Sequence, residues 1–536
     1  MKRKNLTAAV LAGLVGAAGI AGSAQAVNQN PDGLGQVLIY PYYTTNGGNQ
    51  TLLSVVNTTD EAKAVKVRFL EGENSAEVLD FNLYMSAFDV WVAAIADVEG
   101  TPTLLIPDSS CTVPYLYGAG PLGVQPFLDF NYREDLGSTG IARANTGHFE
   151  MIEMGTLHNQ DRNSAAAATH TSAGVPLNCA QLVAAWTDPD TNVALDEGYW
   201  LNQGQGLGPL LDISAPSGGL FGGAAVVNST DGTMYSYDAT ALNGYSDSRL
   251  GDIGGLHSPP GNELPDLNSG DRNTGYIFLD DGNISSWSFA NGVDAVSYVF
   301  MHDAIMNEYN TETGLDASSE WVVTFPTKRF YVFEAATPGI NSAPRDPFTE
   351  EWGAPSDSAG SYDACESVIL DRVWDREEQD AQGPGGGAIP PVVSPSDPND
   401  LPTATPFSLC FETNVIRFGE DSTANPRPAV TEILGAGDYV NIDNEALSFE
   451  NGWVRIDMRN TPVDLVPQGG DGVFDGVSPR QSLGNLGGLP VTGFWVERFV
   501  NTNVGGGIKA NYGGIFGHKG TRLFTECDGT GCNSIR

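Results

Sequence analysis

The sequence has few basic residues and none of the common catalytic motifs. Only 26 Lys and Arg stand against 66 Asp and Glu, so the formal net charge is −40. A polyanion of this size does not bind nucleic acid or an anionic membrane through bulk electrostatics. A GxSxG nucleophile elbow, an HExxH zinc motif, a Walker loop and a CxxCH haem motif are all absent. We therefore expect neither a nucleic-acid-binding protein nor an enzyme of the classes that these motifs mark.

Cysteine is also scarce, and its spacing favours disulfide bonds over a metal site. The chain contains neither a CxxC motif nor a Cys/His cluster, which are the patterns typical of zinc ligands. An even number of cysteines in an exported chain indicates disulfides, although six cysteines allow 15 connectivities. Sequential pairing is the simplest, because each bond then joins one local region: Cys111 with Cys179, Cys365 with Cys410, and Cys527 with Cys532.

The only long hydrophobic run lies at the start of the chain. Lys2, Arg3 and Lys4 precede a Gly- and Ala-rich apolar run that ends in Ala24-Gln25-Ala26, so residues 1–26 are predicted to be a signal peptide. A membrane anchor is the poorer alternative, because the run is short of the ~20 apolar residues of a span. Removing it changes the net charge from −40 to −43. We expect an exported, extracellular or cell-surface protein without a later transmembrane segment; the periplasm is the alternative location.

The rest of the chain is a series of short strand-like runs between turn-forming residues. This pattern predicts an all-β, mainly antiparallel, multi-domain β-sandwich protein with an immunoglobulin-like N-terminus. We also expect minor helices and long loops rich in Gly, Pro and Asp. The predicted regions are an N-terminal β-sandwich (27–105), a middle β-rich region with irregular loops (106–270), and a C-terminal β-rich region (271–536) that contains a Pro/Gly-rich insertion (377–402).

The sequence predicts the local structure of three segments in the N-terminal half of the chain. Residues 36–58 and Leu220–Leu242 each contain two strand-like runs around a Gly-containing turn, which predicts two β-hairpins. Ala62–Leu70 alternates apolar and basic residues. Because side chains alternate between the faces of a strand, Lys66 and Arg68 are predicted to face water.

The strongest strand signal in the chain is Ser319–Glu334, where branched and aromatic residues precede and follow a proline. Pro326 has no N–H to donate, so the ladder should break there and a second strand-like run should follow. Short helices are predicted at Ala165–Ala168 and Cys179–Trp186. If Cys365 pairs with Cys410, the Pro/Gly-rich stretch between them is an insertion at a strand connection and not a domain boundary.

A resemblance to a known group rests on four segments. They are Ile39–Thr44 (IYPYYT), Ser54–Asp60 (SVVNTTD), Val65–Gly72 (VKVRFLEG) and Glu320–Arg329 (EWVVTFPTKR). These resemble segments of secreted bacterial cell-surface proteins of unknown function. The resemblance implies a location at the cell exterior, and it brings no activity or site residue with it.

Calcium is the most specific ligand that the sequence suggests. Calcium binds six to eight oxygen ligands. Side chains that carry oxygen occur at nearly alternate positions in one segment: Asp188, Asp190, Asn192 and Asp196. The stretch departs from an EF-hand, because Val193 replaces the turn glycine and Tyr199 replaces the last glutamate. Asp280–Asn283 and Asp471–Asp475 are further acidic turns. Asx residues also form ordinary turns, which is the competing interpretation.

The sequence also offers two weaker candidate sites, one for proton transfer and one for sugar binding. His148 and Glu150 share one face of a predicted strand, about 7 Å apart, but an exposed polar face explains them more simply. Five aromatic residues could stack on sugars, although core packing explains them as well: Tyr40, Tyr42, Tyr43, Trp321 and Trp495. A glycosidase needs two suitably placed carboxylates, and a chain with 66 acids neither identifies nor excludes such a pair.

These observations together favour a structural or adhesive protein over an enzyme. We expect an exported acidic component of a surface layer or extracellular matrix, whose partners are copies of itself or other surface components. Divalent cations that bridge carboxylates would hold the assembly together. The alternative is a secreted carbohydrate-binding protein or glycoside hydrolase with a polysaccharide as its partner.

Removal of calcium should destabilise the protein if cations bridge its carboxylates. We expect EDTA to lower the melting temperature measured by calorimetry, and we expect added calcium to restore it. Asp188→Asn combined with Asp190→Asn should reduce this response, because both changes remove a charged oxygen ligand. An unchanged melting temperature in EDTA would contradict the calcium prediction.

Overall fold

In the computed structural model, antiparallel β-sheet is the main regular structure of the described residues. The residues described are 26–116, 122–135, 137–160, 163–187, 198, 200–201, 212–248, 255–279, 284–332, 345–350, 352, 364–379, 405–419, 427–459, 482–501, 510–528 and 531–535. Among these, no helix is both long enough and apolar enough to cross a membrane. Because the described residues begin at Ala26, the rest of the predicted signal peptide lies outside them.

The first part of the chain contributes fourteen strands and two short helices. The strands are β1 (Asn28–Gln29), β2 (Val37–Thr44), β3 (Gln50–Asn57), β4 (Ala62–Glu71), β5 (Glu77–Met85), β6 (Val90–Val98), β7 (Thr101–Ile106), β8 (Cys111–Val113), β9 (Gly123–Pro126), β10 (Thr146–Leu157), β11 (Ile213–Ser214), β12 (Leu220–Asn228), β13 (Thr233–Asp238) and β14 (Thr240–Asn243). The helices are α1 (Ser164–Ala168) and α2 (Cys179–Ala185), as predicted, and 3₁₀ turns occur at Asn46–Gly48, Phe130–Glu134 and Ile141–Asn145.

The second part has shorter strands and three more helical segments. The strands are β15 (Thr274–Phe278), β16 (Ile284–Ser288), β17 (Met301–His302), β18 (Ala304–Asn310), β19 (Ala317–Thr324), β20 (Glu366–Trp374), β21 (Thr405–Leu409), β22 (Thr413–Phe418), β23 (Val440–Ile442), β24 (Asn451–Asp457), β25 (Ser482–Leu483), β26 (Leu486–Gly487), β27 (Leu489–Pro490), β28 (Thr492–Phe499), β29 (Tyr512–Gly517), β30 (Lys519–Thr521), β31 (Leu523–Asp528) and β32 (Gly531–Ile535). The helices are α3 (Gly292–Phe300), α4 (Arg329–Val332) and α5 (Asn444–Leu447), with a 3₁₀ turn at Thr313–Leu315.

Two antiparallel sheets form the N-terminal sandwich. One has the order β1-β14-β2-β10-β4-β5-β8 with β11 on β10, and the other has the order β13-β12-β3-β6-β7-β9. Their facing side chains form one core, which includes Tyr40, Phe69 and Trp91. The all-β, mainly antiparallel, multi-domain prediction is confirmed. The immunoglobulin-like N-terminus is not confirmed, because eight and six strands in this order differ from the seven to nine of that fold.

The predicted boundary between 105 and 106 runs through this sandwich. Strands from beyond residue 105 complete both sheets, since β10 lies between β2 and β4, and β12 lies beside β3. Local strand spacing could not reveal this, because β10, which pairs with β2, and β12, which pairs with β3, lie more than 90 residues further along the chain. The first sandwich therefore extends from β1 to β14.

The eight-stranded sheet is buried on both faces, and this corrects the prediction for Lys66 and Arg68. Helices α1, α2 and α3 and the segment 255–270 pack on the face that is opposite the sandwich core. Lys66 is 0% exposed and bonds Asp80, and Arg68 is 5% exposed and bonds Glu77 (2.7 Å) and Glu150. The expected outward orientation is wrong because later chain segments cover that face, and nearby carboxylates pair with the buried cations.

One of the two predicted hairpins is confirmed and the other is wrong. β12 and β13 pair in antiparallel register, with Asn228 opposite Thr233 across a turn that contains Gly232 (φ +68°). β2 and β3, in contrast, belong to different sheets, so the turn at Asn46–Gly48 carries the chain across the sandwich. β2 is buried along its whole length, whereas β3 alternates between buried and exposed residues. A strand that is buried on both faces lies in a sheet that is covered on both sides, whereas a strand buried on one face lies in a sheet with one exposed side. β2 and β3 therefore belong to different sheets.

Two five-stranded sheets form a second sandwich. Their orders are β21-β20-β24-β18-β30 and β23-β22-β19-β28-β29, and Trp321, Val323 and Phe325 enter the shared core. The predicted strand is confirmed up to Thr324, and the ladder ends before Pro326. The second run is not a strand: Arg329–Val332 is the short helix α4, in which Tyr331 donates from its amide to the Lys328 carbonyl. Sequence propensity misses this turn because the run itself is aromatic and branched.

Two disulfides match the sequential pairing predicted for these cysteines. Cys111–Cys179 links β8 to α2, and Cys365–Cys410 closes the pair of strands β20 and β21. The insertion predicted at 377–402 therefore lies between two hydrogen-bonded strands, although most of it is outside the described residues. Cys527 and Cys532 are opposite each other in the register of β31 and β32, and their bond stays a prediction.

A buried carboxylate joins the two sandwiches. Glu320 on β19 accepts backbone hydrogen bonds from Ile433 (2.6 Å) and Leu434 (3.0 Å). The carbonyls of the same two residues accept bonds from Asn49 (3.1 Å) and Thr44 (3.2 Å) of the first sandwich. Glu320 therefore fixes a short backbone segment that both sandwiches contact. Further backbone bonds join Glu412 and Thr413 to the turn that follows β4.

The Glu320 carboxyl should make stability depend on pH. Burial raises its pKa from about 4.5 to about 7, so the folded protein retains a proton that the unfolded chain has lost between these values. The free energy of unfolding should therefore fall by about 3 kcal/mol as pH rises from about 4.5 to about 7. Glu320→Gln should remove this contribution and make the pH dependence shallower in melting curves between pH 5 and 8, while the buried Glu150, whose pKa is also raised to about 7, keeps its own contribution.

Glu308→Gln is the matched control for this experiment, because Glu308 is exposed on the neighbouring strand β18. We expect that variant to keep the pH slope of the unaltered protein. A Glu320→Gln variant that keeps the same slope would contradict the assignment of this titration to Glu320.

Candidate functional site

A cleft of about 420 Å³ lies where the edges of the two sandwiches meet. Strands β1, β2, β13 and β14 line it from the first sandwich, and β17, β18, β28, β29 and β30 line it from the second. Its volume falls within the range of about 300–1,000 Å³ that is typical of small-ligand pockets, which often occur at domain interfaces. The cleft is therefore the best candidate for a binding site.

His302 lines the cleft, and its ring makes one hydrogen bond among the described residues. Its Nδ1 donates to the Phe300 carbonyl (2.9 Å), which makes Nε2 the unprotonated nitrogen of a neutral ring. Burial lowers its pKa to about 3, and the positive charge of Arg522 acts in the same direction. A Cβ on Gly520 would lie 2.1 Å from His302 Cδ2, so only glycine permits this ring position. His302 therefore offers a fixed hydrogen-bond acceptor.

His518 is held in the opposite tautomer. Its Nε2 donates to the Val322 carbonyl (2.9 Å), and its Nδ1 accepts from the Asn307 side-chain amide (3.2 Å). The ring also packs on Trp321, with centroids 4.7 Å apart. Burial lowers its pKa to about 4. Because both nitrogens are bonded within the protein, His518 shapes the wall of the cleft and does not act as a free base.

An exposed aromatic ring and several polar side chains complete the lining. Phe516 is 50% exposed, and its ring stacks on Trp495 with centroids 5.2 Å apart. Stacking holds the ring in place while leaving it open to a ligand. The polar groups from the first sandwich are Gln29, Ser236, Asp238 and Thr240. The cleft thus combines an aromatic platform with both donors and acceptors of hydrogen bonds.

The cleft carries little net charge in spite of the acidity of the chain. Among the described residues that line it, Asp238 is the one carboxylate and Lys519 is the one ammonium group. Hydrolysis of glycosides by the usual route requires a pair of carboxylates on either side of the bond. The lining does not meet this requirement, so its composition favours binding of a neutral polar molecule over glycoside hydrolysis.

The structure does not test the calcium candidates. Asp188, Asp190, Asn192 and Asp196 lie outside the described residues, as do Asp471–Asp475 and Asp280–Asn283. Within the part of the chain that the structure describes, no group of three or more His, Cys, Asp or Glu side chains could hold a metal ion. The calcium site stays a prediction.

His148 and Glu150 share a strand face as predicted, but that face is buried and not exposed. His148 is 0% exposed, and its Nδ1 lies 3.3 Å from the Thr413 hydroxyl of the second sandwich. Burial lowers the pKa of His148 to about 3 and raises that of Glu150 to about 7. Glu150 bonds Arg68, so the pair belongs to the buried polar network behind the sheet. Periodicity alone did not reveal this burial because distant segments cover the strand.

The aromatic residues proposed as sugar-stacking candidates lie in the protein core. Tyr40, Tyr42, Tyr43, Trp321 and Trp495 are each at most 4% exposed. The core-packing interpretation is therefore correct for all five. The exposed phenylalanine in the lining, Phe516, was not singled out by the sequence, because GGIFG has no distinctive pattern around it.

Comparison with known proteins gives this chain neither a family nor a function. No family model, curated protein or solved structure matches it. The functional argument therefore rests on the chemistry of the cleft.

The two histidines should stay neutral, in opposite tautomers, throughout the physiological pH range. We expect ¹⁵N spectra of histidine-labelled protein to show His302 protonated at Nδ1 and His518 protonated at Nε2 between pH 5 and 8, since each donates to a carbonyl and burial lowers both pKa values. Spectra of His302→Phe would assign the signals. Titration of either ring near pH 6.5 would contradict the described hydrogen bonding.

Proposed function

We propose that this protein is an exported adhesive protein of the cell exterior that binds a neutral saccharide unit in the cleft between its sandwiches. The observation that carries the proposal is the combination of the stacked Phe516 ring with surrounding polar side chains in one pocket. A sugar ring presents C–H groups on its faces and hydroxyls at its rim. An aromatic face with polar groups around it complements both.

Each polar group has a definite part in this interaction. The unprotonated Nε2 of His302 accepts a hydrogen bond from a sugar hydroxyl, and Asp238 accepts a stronger, charge-assisted one. Gln29 and Thr240 offer donors as well as acceptors. Hydroxyl groups both donate and accept, so this mixed set fits a polyol better than it fits an anion or a cation.

The location proposed here rests on several sequence and structural features. The predicted signal peptide favours export, and the two disulfides fit an oxidising compartment outside the cytoplasm. The resemblance of Ile39–Thr44 and Val65–Gly72 to secreted bacterial cell-surface proteins favours the cell exterior. Assembly through divalent cations stays a separate prediction.

Saccharide binding can be tested with a glycan array of defined mono- and oligosaccharides, followed by calorimetry with the strongest binder. We expect saturable binding to one site. Phe516→Ala should weaken it about three- to tenfold through loss of stacking, and Asp238→Ala should weaken it further through loss of a charged acceptor.

Tyr512→Ala is the matched control for Phe516→Ala. Tyr512 is on the same strand, is 60% exposed and stacks on Phe499, but it does not line the cleft. This variant should bind the saccharide as the unaltered protein does. Absence of binding across the array, or unaltered binding by both cleft variants, would overturn the proposal.

A further inference from the structure

In the part of the chain that the structure describes, the outer side of the six-stranded sheet of the first sandwich has exposed apolar side chains. Its strands alternate, so that residues such as Trp91 and Leu53 enter the core while their neighbours point away from it. The outward side chains include six large apolar ones that are between 39% and 62% exposed: Leu52, Val90, Val92, Val124, Phe221 and Met234. We call this surface the outer face.

Register shows that these side chains form one continuous patch. Leu52 stands between Ala94 on β6 and Ala225 on β12. Val56 stands in the same way between Val90 and Phe221. Side chains directly opposite each other across antiparallel strands are about 5 Å apart, so each row is in contact across the sheet. The outer face is therefore a broad aliphatic surface and not a set of isolated apolar residues.

The interior of the outer face lacks charge in a protein that is otherwise strongly acidic. The residues that extend from these rows towards the sheet edges include Leu105, Val124, Val227 and Met234, which are all uncharged. Carboxylates lie at the border of the face: Asp238 is on the edge strand β13, and Asp108 and Asp89 accept hydrogen bonds from the amides of Val92 (3.3 Å) and Val90 (2.9 Å). Large exposed apolar patches on soluble proteins mark interaction sites.

The absence of charge limits the kind of partner that fits. A cationic protein or peptide would gain nothing from this face, whereas acidic surfaces elsewhere would attract it. Two copies of this chain, each with a net charge of −40, repel each other over most of their surfaces. The interior of the outer face is a surface on which two copies can approach with carboxylates only at its border.

The size of the outer face fits a dimer. Six strands about 4.8 Å apart span roughly 24 Å, and strands of four to nine residues at about 3.3 Å each have a mean length of roughly 23 Å. The area is then roughly 550 Å² on each copy, so a dimer buries about 1,100 Å² in total, which exceeds the ~1,000 Å² expected of a biological interface. Two twisted sheets pack face to face about 10 Å apart, as in the sandwich itself.

We propose that the outer face is the contact between two copies of this chain, packed sheet against sheet about a two-fold axis. Aliphatic side chains from both copies interdigitate there and are removed from water. The same patch serves both copies, since a two-fold contact is self-complementary. Each dimer then has two saccharide clefts, so a polysaccharide that reaches both gains avidity.

Sedimentation of the full mature chain over a range of concentrations tests this proposal. We expect a monomer–dimer equilibrium that shifts towards dimer as salt screens the acidic surfaces. Leu52→Lys and Val92→Lys should each weaken the dimer more than about tenfold, because a two-fold contact then contains two unpaired charges. Leu315→Lys is the control, since Leu315 is 47% exposed on the second sandwich.

Oxidation of Met234 by peroxide gives a second measurement that needs no variant. Met234 is 62% exposed in the single chain, so its oxidation should slow as concentration rises and the dimer forms. Saccharide binding by the Lys variants should be unaltered, and Phe516→Ala should still dimerise, which separates this proposal from that for the cleft.

Three outcomes would overturn the proposal. They are a monomer at every concentration, a dimer that both Lys variants leave intact while their circular dichroism is native, and Met234 oxidation that is independent of concentration. Met234 protection in the monomer would indicate that another segment of this chain covers the outer face. Binding to neutral lipid vesicles by a monomeric protein would assign the face to a membrane surface instead.

Discussion

The fold depends on the pairing of scarce cations with carboxylates that are removed from water. Lys63 bonds Glu153 (2.8 Å), Arg143 bonds Glu71 (2.9 Å) and Asp135 (2.6 Å), and Lys66 and Arg68 bond their own acidic partners. A buried charge without a partner would cost several kcal/mol, so these pairs fix the register of the strands that carry them. Because many of the few cations are inside, the surface keeps an excess of acid.

The position of the eight-stranded sheet also explains why the cleft exists. The eight-stranded sheet packs on the other sheet at one face and on helices at the other, and the second sandwich adjoins its edge at Tyr42 and Thr44. Tyr237 donates to the Tyr42 carbonyl beside the cleft, and Thr324 donates to the Pro41 carbonyl (2.7 Å). The two sandwiches therefore meet along bonded edges, and the cleft occupies the space between those edges.

Sequence periodicity predicted strands such as β4, β12 and β19, the two short helices α1 and α2 and the β12–β13 hairpin, because local alternation and turn chemistry determine them. It did not reveal that β2 and β3 lie in different sheets or that Lys66 and Arg68 are buried, since segments far along the chain decide both. The cleft was beyond prediction for the same reason. His302 and His518 are 216 positions apart, and neither has a motif around it.

The bond between Cys365 and Cys410 joins the ends of two adjacent strands, and the 44 residues between these cysteines form a closed covalent ring. A protease that cuts one peptide bond within that ring opens it but leaves both halves of the polypeptide attached through sulfur. The second sandwich would keep β20 and β21 in register after such a nick, because their ladder lies next to the bond. Proteases are common outside the cell, where we propose that this protein acts, and a single cut in this ring does not divide the chain.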